Sequence, residues 1–161
     1  MVVVREDNHV TDSTKYGPVV VGVDGSEVSQ KATAYAFREA QARGAALIAV
    51  HTWMDMQVQA SLAGLSAAQS EWADIEKEQS ELLTENLKEP REEYPEVEVK
   101  KLITRDRPVS ALTEAAEGAQ LLVVGSHGRG GFKGMLLGST SRALLQSAPC
   151  PMMVVRPDEE S

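Results

Sequence analysis

Cysteine is nearly missing from this sequence, with one in 161 residues. Cys150, held between Pro149 and Pro151, has no partner for an intrachain disulfide, and no Cys/His spacing resembles a zinc site, so a reducing, cytoplasmic setting is expected. Long apolar runs are missing too. The opening MVVVREDNHV has four apolar residues before charge intervenes, and no window approaches the 18 that a membrane span needs, so neither a signal peptide nor a membrane partner is expected. Basic residues are in deficit, 16 Lys+Arg against 24 Asp+Glu for a net charge of −8. Phosphate-backbone binding needs clustered cations, so extended nucleic acid is excluded as a partner.

The deficit is local. Residues 71–98 hold 11 acids and three bases, which alone gives −8. Residues 118–157 hold no acid and four bases, Arg129, Lys133, Arg142 and Arg156. The acidic run reads as a solvated helix face, whereas the acid-free stretch is hospitable to an anion.

Length implies one domain, expected over residues 17–157 between a disordered tail at 1–16 and an acidic tail at 158–161. Residues 18–23 (PVVVGV) form a short β-branched run, the mark of a strand buried on both faces. Asp24, Gly25 and Ser26 then turn the chain. Ser26 caps a helix that Gly44 stops after Arg43, with Val28, Ala32, Tyr35, Ala36 and Ala40 along one stripe. A second strand follows at 45–52. Residues 53–65 carry no pattern, and an amphipathic helix runs from Ser66 to about Glu89, with Trp72, Ile75, Leu82, Leu83 and Leu87 at helical spacing and Pro90 at its end. Val97, Val99 and Leu102 alternate with charges as in an edge strand. Pro108 opens a short helix closed by Gly118. Residues 121–124 are the fourth strand, 139–147 a helix, and Met152–Val155 the fifth strand. Strict βα alternation predicts an α/β fold, an open parallel sheet with helices on both faces. Ligands of such sheets sit beyond the carboxyl ends of the strands, at the switch point, which directs attention to the turns after strands 1 and 4.

The turn after strand 4 places Gly125, Gly128, Gly130, Gly131, Gly134 and Gly138 between a buried strand and a helix that begins Ser139-Thr140. Glycines let backbone approach a ligand closely, and free N–H groups with two hydroxyls at a helix start suit phosphate oxygens. GxxxxGK[ST] is absent, because Gly130 is followed by Gly131, and GxGxxG fails at Lys133. One pattern fits unadjusted, Gly125-x2-Gly128-x9-Gly138-Ser139.

With that spacing the sequence resembles the nucleotide-binding members of the universal stress protein family, which carry G-x2-G-x9-G-[ST]. The resemblance spans residues 18–157 and includes VVGVDGS, AVHTW, LLVVGSHG and PCPMMVVRP. It implies a Rossmann-like, ATP-binding domain with strand order 3-2-1-4-5 that acts in stress signalling, with Mg²⁺ as a candidate counter-ion to the phosphates. It also implies a homodimer through the fifth strand. Asp24 and the backbone of Thr52 would approach adenine or ribose, while Gly125, Gly128, Gly138, Ser139 and Thr140 would hold ribose and phosphates. Arg129 is a phosphate partner or a solvated loop tip, and Asp24 a ligand contact, a turn residue or both. Arg105-Asp106-Arg107-Pro108 departs from the family, whose members often carry a glycine ahead of the proline.

No catalytic arrangement of nucleophile, metal cluster or carboxylate pair is read around His51 or His127, so they read as polar strand-end and loop residues, and no metal site or catalytic residue is assigned. Three other functions stay open: a slow ATPase or nucleotidyl transferase, a nucleotide-free interaction or chaperone-like module, and a cyclic-nucleotide binder.

Overall fold

The computed structural model describes residues 17–53, 69–127 and 138–157, with no statement made of the side chains of residues 69–72. Both tails, the patternless segment after Trp53, the expected helix start at Ser66 and the loop positions Gly128, Arg129 and Lys133 lie outside the described residues. The elements in chain order are β1 (Val19–Gly22), α1 (Glu27–Arg43), β2 (Leu47–Thr52), α2 (Gln69–Glu93), β3 (Val99–Thr104), α3 (Pro108–Ala116), β4 (Leu121–Gly125), α4 (Ser139–Ser147) and β5 (Met152–Val155). All strand pairs are parallel and the sheet order is β3-β2-β1-β4-β5, as expected.

Val19, Val20 and Val21 of β1 are fully buried and alternate between two cores. On one face Val19 and Val21 meet Ala36, Phe37 and Ala40 of α1 and Leu83 and Leu87 of α2. On the other, Val20 meets Ala111, Leu112 and Ala116 of α3 and Leu144 of α4. Each large apolar side chain withdrawn from water contributes about 1.5–3 kcal/mol. The double burial of β1 therefore makes it the keel of the domain.

Four details differ from expectation. Pro90 lies inside α2 rather than at its end. A proline removes the bond to the carbonyl four residues earlier, but its own carbonyl still accepts from Tyr94 N at 2.8 Å, and the Tyr94 ring stacks on buried Phe37. That tertiary anchor carries the helix one turn past the proline. Tyr35 and Leu82 are exposed, and Phe37 takes the core position on α1. On β3, Leu102 points to a face that leaves it exposed, while Val99 and Ile103 pack against the core.

Candidate functional site

The β1 turn is built by side chains. Ser26 caps α1, its hydroxyl accepting from Ser29 N at 3.2 Å. Asp24 Oδ1 accepts from Ser26 N at 2.8 Å, and Asp24 N donates to the Ser29 hydroxyl at 2.9 Å. Gly25 takes φ of +82°, a left-handed conformation that glycine adopts without Cβ strain. The turn role of Asp24 is therefore real.

The β4 turn is built by backbone. Val21 of β1 pairs with Val123 of β4, which brings Asp24 to the level of Ser126, and the start of α1 rests on Gly125. A Cβ at Gly125 would lie 2.8 Å from Val28 Cγ1, so only glycine allows this approach. Ser126 N donates to Val155 O at 2.7 Å, and Ser126 O accepts from Gly138 N at 2.6 Å. The chain that leaves β4 thus returns to its end at Gly138. Ser141 closes the arrangement by donating its hydroxyl to Gly125 O at 2.7 Å.

Gly138 is the N-cap of α4 with φ of −74°, ψ of 168° and no side-chain cap bond. The first N–H groups of a helix have no intrahelical partner, and the helix dipole adds partial positive charge there. Ser139 is exposed and Thr140 half-buried at this end. The donor set fits a phosphate: uncapped amides, two hydroxyls and no acid in the first turn of α4.

Thr52 ends β2 opposite Thr104, half-buried, and Trp53 N donates to Thr104 O at 3.2 Å. The departure at residues 105–108 has a structural use: the Arg105 guanidinium lies 5.0 Å over the buried Trp53 ring, a cation–π contact. Pro108 opens α3 as expected. The structure therefore gathers Asp24, Gly125, Gly138, Ser139 and Thr140 around the β1/β4 switch point, with Thr52 one strand away on β2.

Two polar clusters escaped the sequence. Buried His51 directs Nδ1 to Val23 O and Nε2 to the buried Gln79 amide, each at 2.7 Å. The Ser126 hydroxyl, wholly buried, sits 2.9 Å from His127 Nδ1, so a hydroxyl does neighbour this histidine. A histidine inside an apolar strand was the available signal for the first cluster. The second lay in plain view as the adjacent pair Ser126-His127, but adjacency alone does not show that the two side chains turn toward each other. Cys150 is buried among apolar side chains, and desolvation pushes its thiol from near 9 up to about 11, which leaves it inert near neutrality. Among the described residues no three His, Cys, Asp or Glu side chains come together as a metal site, and no helix is long and apolar enough to cross a membrane.

The parallel sheet in the order β3-β2-β1-β4-β5 sets the turns after β1 and β4 side by side at its switch point, the place where open α/β sheets take their ligands. The chain belongs to the universal stress protein family, whose model matches residues 15–156. Universal stress protein Rv2005c of Mycobacterium tuberculosis is 46% identical over 154 residues, covering 96% of this chain and 50% of that protein. This chain thus spans about half the length of the curated relatives it matches. Among solved structures, universal stress protein UspA from Lactobacillus plantarum superposes with a TM-score of 0.69 at 23% identity, covering 88% of this chain and 98% of that one. A universal stress protein solved in complex with cAMP gives a TM-score of 0.59 at 25% identity, covering 88% and 97%.

Proposed function

We propose that this stress protein binds ATP at the β1/β4 switch point and uses the bound nucleotide as a signal in the cytoplasm. The observation that supports the reading is the return of Gly138 to the end of β4, which brings the uncapped start of α4 next to the β4 turn. Gly125, Gly138, Ser139 and Thr140, with Gly128 and Arg129 from the loop, serve ribose and phosphates, and Asp24 and Thr52 serve the adenosine end. ATP supplies the charge that a helix N-terminus favours, and Mg²⁺ enters as its phosphate-bound counter-ion. Calorimetric titration with ATP, ADP, AMP and cyclic AMP tests the site. Gly138 has φ of −74°, which any residue adopts, so Gly138→Val removes close approach without backbone strain and abolishes ATP binding. Unchanged ATP affinity in that variant discards the site.

A cyclic nucleotide is the second reading, favoured by the likeness to the universal stress protein complexed with cAMP. Cyclic AMP binding tighter than ATP in the same titration selects it.

The β5 edge supports a homodimer. Leu122 N donates to Pro151 O and Ser126 N to Val155 O, so by ladder alternation the backbone groups of Met152 and Val154 face the open side. This edge carries no charge, whereas β3 bears Lys100 and Lys101, which guard an edge against pairing. Met153 is half-buried, and Met153→Lys converts the dimer to monomer in sedimentation. A wild-type protein that sediments as a monomer overturns this interface.

A further inference from the structure

We infer that His51 and Gln79 are positioning residues for the adenine end of the nucleotide site, an inference that rests on the nucleotide reading above. Val23 lies between the last residue of β1 and Asp24, and it is held twice by β2. Its N–H donates to Val50 O at 2.8 Å, and its carbonyl lies 2.7 Å from His51 Nδ1. A carbonyl only accepts, so Nδ1 carries the proton and donates. The imidazole therefore fixes the peptide that joins Val23 to Asp24, and the residue after it in the chain is Thr52. One side chain sets the separation of the two elements assigned to the adenosine end.

The ring is itself oriented from a third element. Gln79 on α2 lies 2.7 Å from Nε2, and its side chain is as deeply buried as the core around it, 4% exposed against 9% for His51. A primary amide presents either a donor or an acceptor by the end it turns inward, so it pairs with Nε2 whichever role that nitrogen takes. Burial excludes water as a substitute partner, and loss of either group leaves a buried polar atom unpaired. The phosphate end is built separately, from Ser126, Gly138 and Ser141, and touches neither residue in these bonds. The two ends are thus separable by mutation.

The test compares ATP with GTP, which share the triphosphate and differ in the base, on the full chain. Wild type is expected to prefer ATP. His51→Phe keeps the ring volume and removes both hydrogen bonds; it binds ATP about tenfold more weakly, as loss of one such bond implies, while GTP stays within about twofold. His51→Asn, whose side-chain amide can reach the Val23 carbonyl, recovers most of the preference. Gln79→Leu leaves β2 intact and gives an intermediate loss, and it carries the test if His51→Phe does not fold. An ATP/GTP ratio unchanged in His51→Phe or Gln79→Leu, or equal losses for both nucleotides, overturns the assignment while leaving nucleotide binding in place. Wild type that binds both nucleotides without preference overturns it as well. Wild type that binds neither overturns the nucleotide reading and this inference together.

Discussion

The turns after β1 and β4 meet at one crevice but are held in place by opposite means. The first depends on side chains: the Asp24 carboxylate, the Ser26 and Ser29 hydroxyls and the His51 ring. The second depends on backbone groups of Ser126 and Gly138 and on a missing Cβ at Gly125, with Ser141 the main side-chain tie. A side-chain-built turn is weakened by truncation. A backbone-built turn is weakened by addition, because any new carbon enters space already filled by α1 or needed by a ligand. The difference suits the proposed nucleotide site, since a base is recognised by placed groups while phosphate oxygens are taken by main-chain amides that require bare backbone.

Mutations that add or remove atoms sharpen the contrast. Gly125→Val, the largest effect, forces carbon against Val28 Cγ1, where a Cβ alone would already come within 2.8 Å. It costs about 2 kcal/mol or more in urea unfolding, and a midpoint equal to wild type would end the claim of close packing. Ser141→Ala removes the hydroxyl that satisfies Gly125 O and costs about 1–2 kcal/mol. On the other side, Ser29→Ala deletes the acceptor of Asp24 N and costs about 1 kcal/mol in the same measurement. Asp24→Asn has the smallest effect on stability, below about 0.5 kcal/mol, because an amide oxygen still accepts from Ser26 N. Its ATP affinity falls nonetheless, and unaltered affinity would reduce Asp24 to a turn residue.

pH separates the two sides further. Cys150 packs behind β4 and β5 with its thiol pushed up to about 11 by burial. Its contribution to stability is full below its ordinary value near 9 and is lost as pH rises toward 11, because the unfolded chain ionises first. Alkylation by iodoacetamide at pH 8 is accordingly slow in the native protein and fast in urea; equal rates would contradict the burial.

Legibility in the sequence followed the range of the chemistry. Ser26, Gly44 and Pro108 mark helix ends through local bonds, and the structure places those ends where the residues predicted. The run of valines in β1 announced burial on both faces, and the alternation of elements announced the sheet. Helical spacing alone gave a stripe but not its direction, which is why Tyr35 and Leu82 turned outward and Phe37 inward. Pro90 stopped a helix on local grounds, and a stacked ring beyond it prevailed. The glycine spacing pointed to Gly125 and Gly138 but not to what holds them, because backbone bonds such as Ser126 N to Val155 O and Gly138 N to Ser126 O leave no mark on side-chain identity. His51 and Gln79 meet across 28 residues, and neither residue carries a signature for the other.

The central place of β1 has a consequence for how the domain comes together on the ribosome. β2 follows one helix later and pairs with β1 directly, but the partner on its other side, β4, begins roughly a hundred residues downstream. Closing so long a loop is slow, and contacts distant in sequence form late. Until then Val19, Val20 and Val21 present an open apolar edge, the part of the nascent chain most exposed to mispairing. The crevice between Asp24 and Gly125 is the seam that this late pairing closes, so a ligand that requires both lips recognises only a fold in which β1 and β4 have met and draws that step forward by mass action.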